Sequence, residues 1–350
     1  MRNFISEDDI EQAILQKLEG DPFQYGILRC APSPDKCELL PDGTGRSSKK
    51  ECVLPLILRE ALAHLNPDIP GEKLEEIARD LCRDFSATDM TATNYKYYNQ
   101  IRNGIKISLR RNGKEDFDFV KLVDFDRPEN NTFTAVSQMW IQGRVYWRRP
   151  DVLIFINGLP MVFVELKNSI VKVEEAYNDN LKNYLRDIPN LFAFNQICVL
   201  SNGLETRLGA FNATYNHFFE WLKVDSEKER PDRQALKEAG TVGESSVRYF
   251  IDGLLQKGRL IDYIENFIMF RNQKNKIIAK NHQYFGVNNL IESVKNRAEL
   301  QGKLGVFWHT QGSGKSFSMV FFARKVRRKI SGNFTFLIIT DREDLDDQIA

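Results

Sequence analysis

The sequence predicts an α/β protein: a mixed sheet flanked by helices, then a strand–loop–helix unit built around a phosphate loop. Three observations carry this. Apolar spacing changes from helical to alternating near residue 104. The pair Asn157-Gly158 separates two apolar runs, and Asn-Gly favours the left-handed backbone of a two-residue hairpin. The run Thr310-Gln311-Gly312-Ser313-Gly314-Lys315-Ser316 joins an apolar stretch to a helical pattern.

The elements follow in order. Ser6 before Glu7, Asp8 and Asp9 is an N-cap with an acidic first turn, and Ile10, Ile14, Leu15 and Leu18 then recur at helical spacing. This helix ends near Gly20. Residues 30–50, rich in Pro, Gly, Ser and Lys, predict an exposed loop. Helices are expected over Val53–Leu65 and Leu74–Phe85, with Pro67 and Pro70 between them. Strands are expected at Ile105–Leu109, Phe117–Phe119, Leu122–Phe125 and Phe133–Met139, then at Val152–Ile156 and Val162–Leu166. A helix over residues 173–186 and a strand at Gln196–Leu200 complete this part. Residues 225–246, dense in charge and then in Gly and Ser, form the best linker. Val247–Phe270 is helical in pattern. The remainder alternates: a helix after 282, a strand at Gly305–Trp308, the glycine loop, a helix over 317–329 and a strand at Phe334–Ile339. The domains expected are 1–225, a linker 226–246, and 247–350.

Composition narrows the function classes. The 350 residues suit about two domains. A net charge of +1 means that any nucleic-acid surface is a local patch. Cys30, Cys37, Cys52, Cys82 and Cys198 are irregularly spaced, which predicts free thiols in a reducing compartment, and the histidines show no zinc pattern. The N-terminus is too acidic for a signal peptide, and no apolar run reaches the ~18 residues of a membrane span. A cytoplasmic protein without membrane contact is expected.

The densest chemistry lies between Arg148 and Lys167. In a hairpin turning near Gly158–Leu159, residue 151 falls about opposite residue 166, so Asp151 lies beside Glu165. Glu165 and Lys167, two apart, share a strand face. Two carboxylates and an ammonium at one sheet end suit phosphodiester hydrolysis. Carboxylate oxygens hold Mg²⁺, the ion acidifies a water, and lysine orients that water or stabilises charge on the phosphate. Arg148 and Arg149 are candidates for DNA-backbone contacts. Without further context, the same residues describe a solvated surface hairpin.

Asp151, Glu165 and Lys167, with Pro150 before them, resemble the PD-(D/E)xK nuclease signature. The wider run from Arg149 to Lys167 resembles its form in the restriction (motor) subunits of type I restriction–modification enzymes, as do Asp124-Phe125, Pro128–Phe133 and Leu200–Gly203. That family shows Gln-x-x-x-Tyr after the lysine. Here Asn180 and Tyr184 stand at the nearest positions, so the glutamine is replaced by a shorter amide while Tyr184 carries over, as a candidate DNA contact. Nucleases of this fold often use an acid on the first helix. Glu7 and Glu11 are either that acid or solvated helical carboxylates.

In the glycine loop, Thr310, Gly312, Ser313 and Gly314 offer backbone N–H groups to phosphate. Lys315 reaches the β- and γ-phosphates of ATP, and the Ser316 hydroxyl holds Mg²⁺. His309 occupies the position where G-x-x-x-x-G-K-[ST] has glycine. Trp308–Ser316 resembles motif I of superfamily 2 helicases in the type I restriction branch, and Ile339–Gln348 resembles its motif Ia, so the resemblance implies a RecA-like motor domain. Gln283 is placed either as an adenine reader or as an ordinary polar residue at a helix start. No Walker B acid follows before Ala350, so a piece of a longer subunit is expected, unable to hydrolyse ATP by itself.

The resemblance implies Mg²⁺-dependent cutting of double-stranded DNA, coupled in the full subunit to ATP-driven translocation. Its partners would be methyltransferase and specificity subunits. Two alternatives remain at this level: another helicase–nuclease fusion (type III restriction or repair), and a DNA-docking module with an inactive nuclease site.

Overall fold

The computed structural model describes residues 4–31, 34–36, 38–83, 89–111 and 114–339. Its centre is a seven-stranded mixed sheet in which spatial order follows chain order. Gly26–Arg29 pairs in parallel with Phe133–Ser137, which runs antiparallel to Val152–Ile156. That strand forms the hairpin with Leu159–Leu166, and Ile197–Ser201 lies parallel to the hairpin's second strand. Thr206–Gly209 and Phe219–Glu220 extend the sheet antiparallel.

The hairpin sets the frame. Asn157 (φ 53°) and Gly158 (φ 79°) take the left-handed backbone that a two-residue turn demands. Asn157 is buried and fully engaged. Its Oδ1 accepts from Thr132 N (2.8 Å), and its Nδ2 donates to Leu122 O (2.9 Å) and Asn131 Oδ1 (2.8 Å). At Gly158 a Cβ would stand 2.6 Å from the Leu54 carbonyl, so glycine is required for packing as well as for φ.

The register differs by one residue from the expectation that 151 faces 166. Ile156 pairs with Leu159, and a bulge at Ile154/Phe155 brings Val152 opposite Val164. Pro160 sits at the shift, where its missing N–H breaks the ladder. Asp151 is thereby carried opposite Glu165. A regular ladder would have faced it with Val164.

Both hairpin strands are buried throughout. Ile154, Val162, Val164 and Leu166 pack with Ile10, Ile14 and Leu18 of the first helix, Glu7–Glu19. Leu153, Phe155 and Phe163 join Leu181, Tyr184 and Phe192 in a second core. The first helix has its expected cap: Ser6 Oγ accepts from Asp9 N (3.1 Å), and the Asp9 carboxylate accepts from Ser6 N (3.0 Å).

Helices Pro55–Leu65, Gly71–Cys82, Asn281–Lys295 and Lys315–Lys329 lie close to their expected ranges. Other expectations are corrected. Residues 30–50 are not simply an exposed loop: Arg46 and Lys49 are buried against Asp42, and Arg46 also donates to Trp140 O (3.1 Å). Residues 122–125 are irregular, because Asn131 and Asn157 take over their backbone bonds. The helix over 173–186 contains a π-helical segment, Ala176–Leu181. The pattern at 247–270 divides into helices Ser246–Leu254 and Lys257–Asn266, followed by the strand Ile268–Arg271, which pairs with Asn275–Ile278. Helix Met90–Asn103 has no counterpart among the expectations. Residues 305–308 and 334–339 carry no regular secondary structure, with Val306 and Leu337 exposed. A buried parallel strand needs neighbours, and among the described residues neither segment has one. Residues 226–246 carry a short helix, Arg233–Lys237, and a turn in which the Glu229 carboxylate accepts from Val224 N and Ser226 N (2.7 Å each).

Among the described residues Cys30, Cys52, Cys82 and Cys198 form no disulfide, and Cys37 lies outside them. No described helix is long and apolar enough to cross a membrane.

Candidate active site and phosphate loop

The bulged register and the alternation of the strand bring Asp151, Glu165 and Lys167 together at one end of the sheet. Asp151 Oδ2 accepts from Leu166 N at 2.7 Å. Lys167 Nζ stands 3.7 Å from Glu165 Oε1, which also accepts from Asn180 Nδ2. Glu165 Oε2 is buried and has no hydrogen-bond partner.

Burial dominates the electrostatics of this pair. Burial pushes Asp151 up to about 6, against the opposing pull of Leu166 N–H and Lys167. Glu165, 2% exposed, is raised well above the ordinary carboxylate range by burial and by the Asp151 charge. Two carboxylates are held side by side with incomplete compensation.

The first helix brings further acids. Glu11 is 6% exposed and is pushed up to about 7, first by burial and then by Asp151, while Gln138 acts in the opposite direction. Glu7 is half-buried, and its charge raises both Asp151 and Glu165. Glu11 is therefore not a solvated helical carboxylate, and both acids belong to the electrostatics of the pair.

The expected DNA contacts fall differently. Tyr184 is buried. Its hydroxyl donates to Arg149 O (3.1 Å) and its ring meets Phe163 (5.3 Å between centroids). Tyr184 is thus corrected from a DNA contact to an interior support beside Glu165. Arg148 is likewise committed, donating from Nε to Asp187 Oδ2 (2.7 Å), because the buried Asp187 needs a counter-charge. Arg149 lies over the Trp140 ring, 5.4 Å from its centroid. Asn180 lies in the π-helical segment, which sets it against Glu165 although it is one methylene shorter than glutamine.

Gln138 was not among the expected residues. It takes a left-handed backbone (φ 57°) at the end of Phe133–Ser137, and its Nε2 donates to Glu11. A glutamine after a strand carries no sequence signal of such a bend. Asp187 was missed for a similar reason, since its burial depends on Arg148 and Arg186 closing over it.

Among the described residues, no three acids, histidines or cysteines form a ready-made metal cluster. Mg²⁺ does not require one: it binds through one or two carboxylates and keeps several waters. Asp151 and Glu165, with the unpartnered Glu165 Oε2, fit that demand.

At the glycine loop, Gly312 (φ 77°) and Gly314 (φ 85°) take left-handed backbone. Helix Lys315–Lys329 starts directly after them, aiming its N-terminus at the loop. Gln283 is buried beneath it. Its Oε1 accepts from Lys280 N (2.8 Å) and its Nε2 donates to Gly314 O (2.9 Å). Lys315 Nζ donates to His309 O (2.9 Å), and the His309 ring lies 3.2 Å from Glu227. Thr310 is exposed, Ser316 half-buried in the first helical turn, and the Ser313 hydroxyl buried without a partner. A cavity of about 620 Å³ opens beside Gln283, Gly312, Ser313 and Gly314. The motif Ia residues 340–348 lie outside the described residues.

The fold and this geometry define an α/β protein with an acid-lined site at a sheet end and a glycine-rich loop before a helix on the same chain. The chain belongs to the family described as type I restriction enzyme R protein N terminus, whose model matches residues 4–217. A second model, the SWI2/SNF2 ATPase, matches residues 282–350. The chain is similar to the type I restriction enzyme HindI endonuclease subunit of Haemophilus influenzae, with 34% identity over 99% of this chain and 32% of that one. It is also similar to the type I restriction enzyme SauCOLORF180P endonuclease subunit of Staphylococcus aureus, with 28% identity over 69% of this chain and 24% of that one. The chain spans at most about a third of the length of these curated relatives.

Proposed function

We propose that this chain carries the Mg²⁺-dependent DNA-cleaving centre of a type I restriction endonuclease subunit and the start of its ATP-driven motor. The observation that carries the reading is the pair Asp151–Glu165, half-buried and buried respectively, with one Glu165 oxygen unpartnered and Lys167 alongside. In the nuclease superfamily that the signature resembles, this trio is the cleavage machinery.

Asp151 and Glu165 would hold the ion. Bound there, Mg²⁺ supplies positive charge to a phosphodiester and makes a water acidic enough to attack. Lys167, half-buried beside Glu165, places its ammonium where charge develops on the phosphate. Asn180 fixes Glu165 Oε1, and Tyr184 closes the site from the helix side. Leu166 N–H holds Asp151 Oδ2 and keeps that carboxylate turned toward its partner. Arg149 is retained as a DNA-backbone contact.

Gly312, Gly314, Lys315 and Ser316 would bind the phosphates of ATP and their Mg²⁺, with Gln283 bracing the loop from below. Translocation, and the methyltransferase and specificity subunits that choose the site, belong to the whole assembly.

Plasmid cleavage by the assembled full-length enzyme tests this reading. Lys167→Ala is expected to abolish cutting and leave ATP hydrolysis intact, whereas Lys315→Ala should abolish both. Normal cutting by Lys167→Ala would remove the nuclease assignment. Normal ATP hydrolysis by Lys315→Ala would remove the nucleotide assignment.

A further inference from the structure

We propose that Gln138 is a positioning residue of the cleavage centre, a carboxamide bridge that ties Glu11 of the first helix to Asp151. The inference rests on the nuclease reading and extends it to a residue outside the signature.

Four observations converge on Gln138. Its backbone is left-handed (φ 57°), a region that residues other than glycine, asparagine and aspartate seldom enter. Strain of this kind persists where the surroundings enforce it, and it concentrates at functional sites. The backbone is pinned across the sheet, with Gln138 N donating to Asp151 O at 2.9 Å. The side-chain amide faces two acids: Nε2 donates to Glu11 Oε2 and lies 3.5 Å from Asp151 Oδ1. The other end of the amide, Oε1, is buried with no partner. An uncharged donor between two carboxylates lowers their mutual repulsion while adding no charge that would compete with a cation. The unpartnered carbonyl oxygen is a further hard donor at the same place.

Glu11 and Asp151 come from a helix and a strand that are distant in sequence. Gln138, from a third element, fixes their relation. Without it the Glu11 carboxylate loses the hydrogen bond that holds it toward the pair.

The test uses the full-length subunit in its assembled complex, with Gln138→Gly and Gln138→Asn. Glycine accepts the left-handed backbone and deletes the amide. Asparagine tolerates the backbone but is one methylene too short to bridge. For Gln138→Gly, the metal-free subunit is expected to melt at or above the wild-type temperature, since backbone strain is relieved. The Mg²⁺ concentration that half-saturates cutting should rise at least about tenfold, the scale of one lost charge-assisted hydrogen bond. ATP hydrolysis should not change. Gln138→Asn should show the same rise in Mg²⁺ requirement. In a double-variant cycle with Glu11→Ala, adding Gln138→Gly should cost little beyond Glu11→Ala alone, because both break one bridge. An unchanged Mg²⁺ requirement in Gln138→Gly, or additive losses in the cycle, would overturn the bridge. That failure is separable from failure of the nuclease reading, which shows as normal cutting by Lys167→Ala.

Discussion

At the residue scale, the centre is a set of carboxylates held with too little compensation. Glu11 is pushed up to about 7, Asp151 to about 6, and Glu165 well above the unfolded range near ~4. For such groups the folded state binds protons more tightly than the unfolded one. Their contribution to stability is fully present below the unfolded values and is lost as pH rises through about 6 to 7. The metal-free subunit is therefore expected to gain stability from this site as pH falls from 8 to 5, and Mg²⁺ should stabilise it most at the alkaline end. Thermal melts with chelator and with Mg²⁺ across that range would check this; Mg²⁺ stabilisation that does not depend on pH would contradict it. Asp151, Glu165 and Lys167 were legible because strand alternation and a turn signal suffice to place them together. Gln138 and Asp187 were not, because a left-handed φ and a buried counter-charge arise only from tertiary contact. Tyr184 was legible as a member of the site but not in its orientation. An aromatic that packs on Phe163 and one that faces DNA look alike in sequence.

At the element scale, the hairpin is the device that builds the site. Asn157 serves both the turn and the strand before it, so its substitutions should separate two costs. Asn157→Gly keeps the left-handed turn and loses the side-chain bonds, at a cost of about 1–3 kcal/mol. Asn157→Ala adds the backbone penalty of roughly 1 kcal/mol and should be the less stable of the two. Denaturant midpoints of both variants would show the order; equal midpoints would deny the turn its conformational role. Ser6→Ala should cost about 1 kcal/mol through the lost cap. The turn itself was legible in Asn157-Gly158, but the bulge was not. Proline at position 160 signals a break in pairing without saying which residue is skipped. The strands expected at 305–308 and 334–339 show the opposite failure: apolar pattern marks a buried strand, but only neighbours make one.

At the scale of the whole molecule, the part that carries the glycine loop rests on the sheet through a buried lysine. Lys276, on the strand Asn275–Ile278, donates to Asn94 Oδ1 (3.0 Å) and Gln196 Oε1 (3.1 Å), and also to Asn195 O. Burial holds its pKa well below the ordinary lysine value. Lys276→Met would leave Asn94 Oδ1 and Gln196 Oε1 buried without a donor, while Asn195 O keeps the Asn94 amide, and a loss of about 2–5 kcal/mol in unfolding free energy is expected. An unchanged denaturation midpoint would show that the contact is not structural. Two separated motifs and a change of composition are what predict two parts from the sequence. The ribbon that carries Lys276 was hidden within a run of helical spacing. The central claim remains that Asp151 and Glu165 form a metal-dependent cleavage centre distinct from the nucleotide loop. The most direct measurement is single-turnover plasmid cleavage by the assembled full-length enzyme carrying Glu165→Gln, with ATP hydrolysis followed in the same reaction. The substitution keeps size and removes the charge that would hold the ion. The account predicts no cutting with ATP hydrolysis retained; cutting at the wild-type rate would contradict it.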